Sequence, residues 1–471
     1  MVIRQGLINA TLLGWAAVVL VLFRVLGPRR AGLIAAFGGL LLLPPGQVMP
    51  RLHPAIPLTS TTVVGLSILL GMIAFGRPWS RPARLSGPDL ALLAYALAPA
   101  AGVAVRGPSA MTDAVDTILY RSLTWVVPYA FARLYLADRD GPRDVARGVV
   151  ASGVFLLPII AYESLVGPDR YLLGMIFGMP FRPEMVERMG GYRPEAFFNN
   201  GIHLASWMAI ASVASCWLAL ARTPYPGKVP GWIPAALVLG GSMLCRGMYG
   251  LLLLGAGLLT MVITQFGRTR GAIVILALIA PTYMATRISG AWDGRALVAA
   301  AGSFGRPDTV KTRIDSEDGI LAAIRARGLA WGDGLNLWVT DRRPAVYWPD
   351  GKWLFPLWLG GAIGLAMHYA AIHLIPIGVA ISAPRGRPSR VEAASPVWCL
   401  ATLSALHMID GLHNGVDFLP TAMMAGAIVS ATPVAAFDDT WPRRVGRLAL
   451  IGVLVALPEL VGLAMRLARR Q

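Results

Sequence analysis

Charge is scarce in this chain: only 14% of its 471 residues are Asp, Glu, Lys or Arg, against roughly a quarter in soluble domains. A scarcity of that size excludes a soluble globular protein of this length. Acidic residues are scarcer still, 25 against 42 Lys and Arg. The net charge of +17 raises the question of nucleic acid, but the arginines lie mostly in short gaps between apolar runs, where retention of positive charge on the cytoplasmic side explains them. No nucleic-acid partner is expected. Cysteine is limited to Cys216, Cys245 and Cys399, all within or at the end of apolar segments. This spacing excludes a disulfide framework and reads as three small buried hydrophobes. Also missing are an internal repeat and a pair of matching interrupted helices, which weighs against a transporter. No metal-ligand cluster is evident, and no cofactor is expected. The first apolar run carries no small-residue cleavage site, so it reads as a spanning helix and not as a signal peptide.

What the chain has in place of charge is hydrophobicity: 56% of its residues are apolar and the mean hydropathy is +0.60. A membrane-spanning helix needs about 20 mostly apolar residues, and such runs recur along the chain. The expected spans are 6–27, 31–49, 58–76, 89–106, 117–137, 147–166, 201–221, 229–245, 247–266, 271–287, 354–382, 396–412, 417–435 and 446–465. The expected fold is therefore an all-α polytopic membrane protein with about 12 to 14 transmembrane helices, one integral membrane domain over residues 1–471.

Every second gap is basic: Arg77, Arg81 and Arg84; Arg139, Arg143 and Arg147; Arg222 and Lys228; Arg268 and Arg270; Arg385, Arg387 and Arg390; Arg443, Arg444 and Arg447. Those gaps are expected on the cytoplasmic side. The two long polar segments, 167–200 and 288–352, then fall together on the opposite side, with Arg246 and the His413 region. The C-terminal Arg466, Arg469 and Arg470 depart from this parity.

Within the second long segment, Ser316 reads as the cap of a short amphipathic helix ending near Arg327, with Ile320, Leu321 and Ile324 as its apolar stripe. Glu317 and Asp318 would lie at its positive end, Arg325 and Arg327 at its negative end. Such a helix lies on the membrane surface or covers a cavity, and packing alone accounts for it equally well.

Several polar groups sit at the edges of apolar runs. In "GGYRPEAFFNNGIHLASW", Asn199 or Asn200 can cap the helix starting at Gly201, and Arg193 reads either as a snorkelling interface arginine or as a ligand group. In "GGSMLCRGMYG", Arg246 has almost no loop to carry it into water. An arginine so placed faces a cavity or an anionic partner. Arg313 precedes the turn Gly332-Asp333-Gly334, which alone is only a bend. His407, Asp410 and His413 recur every three residues in "LHMIDGLHNGVD", reading as polar glue between helices or as the lining of an acceptor site, with a metal site the minor alternative. Glu163 reads equally as satisfied packing or as a cavity wall.

In "YWPDGKWLFPLWLGGAIGLAMH", Asp350-Gly351 is followed by the nine residues 352–360 and then by Gly361-Ala362-Ile363-Gly364. This spacing resembles the O-antigen ligase and O-antigen polymerase superfamily, whose ligases carry a His-Asn pair, nine residues and Gly-x-x-Gly at the end of a large periplasmic loop. Asp350 stands here for the His and Gly351 for the Asn. Upstream, Arg193 before an Asn-containing helix start, the Arg246-Gly247 pair between helices, and Arg313 ahead of Gly332 and Gly334 follow the same order.

The resemblance, which covers residues 190–370, implies a GT-C-like fold with two larger periplasmic segments. It implies an enzyme of the bacterial inner membrane that transfers saccharide from an undecaprenyl-diphosphate-linked oligosaccharide without a metal, among the possible partners of a polysaccharide assembly system and with membrane lipids around it. It assigns the base to Asp350 and diphosphate binding to Arg193, Arg246 and Arg313. The physical demands agree: guanidinium groups fork to phosphate oxygens at the hydrocarbon boundary, and a base must take the acceptor proton. Asp350, with a reference pKa near 3.9, reads both as such a base and as a helix cap in "PDGK". Gly361 and Gly364 read as close helix packing. The replacement of His favours a polymerase over a ligase. A lipid-linked glycan flippase and a non-catalytic scaffold are the readings from other classes.

Overall fold

Residues 4–45, 58–76, 85–106, 111–179, 187–223, 225, 228–303, 307–327, 351–382, 388–414 and 419–432 are described by a computed structural model, the side chains of 101–106 and 112–113 excepted. The expected span at 446–465, Arg466, Arg469 and Arg470, the turn at Gly332 to Gly334 and Asp350 lie outside the described residues.

Among the described residues the chain is all-α apart from a two-residue hairpin ladder. The helices are α1 (Gln5–Leu26), α2 (Pro28–Leu42), α3 (Ser60–Phe75), α4 (Gly87–Arg106), α5 (Met111–Arg121), α6 (Val127–Tyr135), α7 (Gly141–Val166) and α8 (Leu172–Phe177). Strands β1 (Glu187–Arg188) and β2 (Gly191–Tyr192) pair antiparallel. Then come α9 (Gly201–Leu220), α10 (Trp232–Leu244), α11 (Met248–Gly267), α12 (Gly271–Ser289), α13 (Arg295–Gly302) and α14 (Pro307–Arg327). The last are α15 (Leu354–Tyr369), α16 (Ile375–Ile381), α17 (Arg390–Ala393), α18 (Pro396–His413) and α19 (Pro420–Ala431).

The apolar pattern explains their placement. In α1 the residues Ile8, Leu12, Trp15, Val19 and Phe23 recur every three or four positions and are buried, which is one helical face. Yet Leu13, Val18, Val21 and Val25 on the other side are exposed. A helix apolar all round with half its surface uncovered suits hydrocarbon and not water. The same holds for α11, with Leu252, Leu259 and Phe266 exposed, and for α12 with Ile275. By contrast α9, α18 and α19 are buried along nearly their whole length and form the centre of the bundle. Among the described residues, six helices are long and apolar enough to cross a membrane: α1, α7, α9, α11, α12 and the bent run Leu354–Ile381. The protein is a polytopic membrane protein.

Two ends of the bundle are distinct. At the basic end Arg29 ties α2 to the start of α7 through Asp138 and Asp144, and Arg268 Nε donates to the Pro388 carbonyl at 3.0 Å. At the other end, residues 167–179 and 187–200, the turn at Arg246, α13, α14 and the C-terminal end of α18 gather.

Two π turns interrupt the bundle, at Ser122–Val126 between α5 and α6 and at Ala370–Leu374 between α15 and α16. Each is followed within two residues by a proline, Pro128 and Pro376. A proline has no N–H to give the ladder, and a wider turn absorbs the mismatch. α15 is itself broken at Gly361 (φ 65°, ψ −166°), a conformation that favours glycine.

The helix expected to start at Ser316 begins instead at Pro307, so Ser316 is an interior residue and caps nothing. The acids do not sit at a helix end either. Buried Glu317 accepts from Arg287 Nε at 3.0 Å, Tyr283 Oη at 2.8 Å and Trp353 Nε1 at 3.2 Å, and Asp318 accepts from Arg287 Nη2 at 2.8 Å. Arg325 Nη2 donates to the carbonyls of Arg287 and Ile288 at 3.1 and 3.0 Å. It thereby caps the C-terminal end of α12, not that of its own helix. The charges of α14 fasten it to α12 and α15 as a strap.

Candidate functional site

The N-terminal ends of α9 and α11 meet at the non-basic end of the bundle. Asn200 caps α9, its Oδ1 accepting from the N–H groups of Ile202 at 2.9 Å and His203 at 3.1 Å, as the sequence suggests. The two helices cross with almost no space between them. A Cβ at Gly247 would sit 2.5 Å from Ala205 Cβ, and one at Gly250 would sit 2.8 Å from the Ala205 carbonyl oxygen. Two positive dipole ends are thus held side by side.

Around these ends stand the three arginines singled out in the sequence. Arg193 is buried. Its stem lies against the first residue of α9, where a Cβ at Gly201 would come 2.3 Å from Arg193 Cδ. Its carbonyl accepts from Tyr171 Oη at 2.5 Å. The loop that follows it is fixed by Glu163, whose carboxylate accepts from the N–H groups of Leu172 at 3.0 Å, Glu195 at 2.9 Å and Ala196 at 2.8 Å. Glu163 is therefore satisfied packing at this site.

Arg246 occupies the turn between α10 and α11 with φ 48°, a left-handed conformation uncommon for a side chain of this size. Its Nη1 lies 3.5 Å from the Tyr192 carbonyl oxygen. Its guanidinium rests on Gly191, where a Cβ would fall 1.4 Å from Nη1. The β1–β2 hairpin thus places Arg193 and Arg246 together. Arg313, half-buried on α14, interacts electrostatically with His203 of α9, Tyr249 of α11, and Asp410 and His413 of α18. It faces the same helix ends from the strap side.

Asp410 carries the polarity inward. Its Oδ1 accepts from Ser206 Oγ at 2.7 Å and from Asn414 Nδ2, which links α9 to α18. Tyr249 Oη donates to the Ile409 carbonyl at 2.7 Å. This is the polar glue read from the His407, Asp410 and His413 spacing. Among the described residues no three His, Cys, Asp or Glu side chains are placed to hold a metal ion.

Asp350 itself lies outside the described residues, but the chain just after it is anchored here. A Cβ at Gly351 would sit 2.4 Å from the Leu412 carbonyl oxygen. The N–H groups of Lys352 and Trp353 donate to the carbonyls of Asn414 at 3.1 Å and Gly411 at 3.2 Å. The segment therefore joins the bundle at the C-terminal end of α18, beside Asp410.

Sequence reasoning missed the groups below this level. Lys352 Nζ lies 4.5 Å from the centroid of the Trp125 ring, and His368 packs against Tyr95 and Trp125 with centroids at 5.0 and 4.9 Å. His373 stands 5.8 Å from His407 and shares a 2.9 Å hydrogen bond with Ser404. Arg121 is fully buried. The signal that finds them is the rarity of ionisable residues within spans, where each is a candidate by default.

No known protein family, curated protein or solved structure matches this chain.

Proposed function

We propose that this protein is a polymerase-type glycosyltransferase acting on undecaprenyl-diphosphate-linked oligosaccharide repeat units for a surface polysaccharide. In this reading it is a GT-C-like protein of about 12 to 14 spans in a bacterial inner membrane, with its reaction on the periplasmic face. The observation that carries the reading is the placement of Arg193, Arg246 and Arg313 around the paired N-terminal ends of α9 and α11.

A lipid diphosphate holds its charge at the hydrocarbon boundary. Guanidinium groups and helix N-termini fixed at that level bind it and stabilise the charge that grows as it departs. The acceptor hydroxyl oxygen attacks the anomeric carbon, the bond from that carbon to the diphosphate oxygen breaks, and the electron pair leaves with the diphosphate. The acceptor proton passes to a base, the role assigned to Asp350 by resemblance. Gly351 and Lys352 bring the chain to the outer end of α18, the side that Arg313 faces.

Purified protein supplied with an undecaprenyl-diphosphate oligosaccharide should give a polymer ladder. Arg246→Ala and Arg313→Ala should each slow it on the order of 100-fold to 1,000-fold, the loss seen when one oxyanion-stabilising donor is removed, with donor accumulating. Normal polymerisation by both variants would end the diphosphate role. Transfer of a single unit to a lipid acceptor would indicate a ligase instead, and movement of donor across vesicles without bond formation a flippase.

A further inference from the structure

We propose that Arg121 is the centre of a second anion site, separate from the arginines above, that takes a phosphate group. The guanidinium has one structural duty. Pro99 interrupts α4, and having no N–H it leaves the carbonyl four residues earlier, that of Tyr95, without its helical donor. Arg121 Nη1 donates to that carbonyl at 2.7 Å, and the guanidinium carbon lies 4.3 Å from the centroid of the Tyr95 ring.

This uses one edge of the fork. Nε and Nη2 have no acceptor among the described residues, although the side chain is 0% exposed. No carboxylate pairs with Arg121 among those residues either. Charged donors enclosed without acceptors are costly, so an acceptor belongs there.

The surroundings are built for an anion. Nη2 faces two glycines of α15: a Cβ at Gly360 would come within 3.0 Å of it and one at Gly364 within 3.6 Å. Gly361 lies between them at φ 65°, ending one helical segment and opening the next. The C-terminal end of the first segment meets the head of the second there, so their dipoles oppose and the guanidinium itself supplies the positive charge. Gly364 is three residues, about 5 Å, beyond that head.

Lys352 Nζ stands over Trp125 on the same aromatic wall, with His368 between the Trp125 and Tyr95 rings. Nε and Nη2 form the parallel pair of donors that phosphate oxygens accept bidentately. The segment Leu354–Gly360 covers the site, the Pro356 carbonyl oxygen lying 3.1 Å from where a Gly364 Cβ would be. Rotation about Gly361 would uncover it.

The phosphate can belong to a lipid headgroup or be free in solution, and the test separates them. Full-length protein in a maltoside detergent, with no sugar donor present, is titrated with phosphatidic acid or with inorganic phosphate while its melting midpoint is followed. The expected result is a rise in midpoint with one of the two, retained in Arg246→Ala and lost in Arg121→Gln. A rise with phosphatidic acid alone assigns the site to lipid, and a rise with inorganic phosphate assigns it to free anion. Gly360→Ala, which crowds Nη2 without removing it, should weaken binding about tenfold, the worth of one charge-assisted hydrogen bond. This second variant decides the case if Arg121→Gln does not fold. No rise with either probe, or a rise unchanged by Gly360→Ala and Arg121→Gln, overturns the proposal. Because the readout is binding, a failure here leaves the glycosyltransferase reading untouched, and the reverse.

Discussion

At Gly191 a methyl group would overlap the Arg246 guanidinium, 1.4 Å from Nη1. The side chain is long and the turn around it half-exposed, so it can move aside without unfolding the bundle. Gly191→Ala should therefore lower polymer formation by up to about 100-fold, the effect of misplacing a catalytic group by an ångström, with little change in melting midpoint. Wild-type rates in the ladder assay would show that the hairpin does not set the position of Arg246. Arg313, inside a long polar segment, was singled out only by the resemblance; Arg193 and Arg246 were legible because each stands where an apolar run meets a polar one, and a charge at such an edge needs a reason. Arg121 was not, because its reason lies in another helix. Only the folded chain shows that the proline at 99 leaves the Tyr95 carbonyl for an arginine 26 positions away. Gly361 and Gly364 read as packing, but Gly361 is a helix break, a distinction of φ that residue type does not settle.

The strap α14 shows what decides at the level of an element. Its first half is polar and exposed, held by the Lys311 to Asp315 pair at 2.7 Å and by Thr312 Oγ1 donating to the Asp308 carbonyl at 2.9 Å. Without an apolar stripe that half reads as loop, so periodicity finds only the second half, where Ile320, Leu321 and Ile324 are buried. Of the six spanning helices, α7 begins six residues before its expected bound and the others were legible to within two, because length and hydropathy decide them locally. The joint between α14 and α12 is a buried ion pair, Arg287 with Glu317. Breaking such a pair by removing one charge costs about 3 to 5 kcal/mol. Glu317→Gln should raise backbone hydrogen exchange across 307–327 while α9 and α18 stay protected. If exchange there does not change, the pair does not hold the strap.

At the scale of the whole molecule, alternation of basic and non-basic gaps foretold which segments share an end of the bundle. Residues 187–200, Arg246 and His413 do come together, because consecutive antiparallel helices leave their connections at alternate ends. At the basic end, Asp138 is held below its ordinary value of 3.8 chiefly by its hydrogen bond from Arg29, with burial pushing the other way. A carboxyl lowered in the folded state stabilises fully above its unfolded value and loses that contribution as pH falls through the folded one. Asp138 is 56% exposed, so the contribution is small, about 0 to 1 kcal/mol. Melting curves of wild type and Arg29→Gln should differ slightly near neutral pH and converge on acidification below about 3.8. A gap that persists at low pH would assign the role of Arg29 to something other than this ion pair.

Ala205 sits where α9 and α11 leave each other no clearance at Gly247 and Gly250. Neither helix can slide or pivot past the other, so the two behave as one fixed post. On the proposed function, release of a saccharide from beside Arg193 and Arg246 would draw on the strap bearing Arg313 and not on this joint.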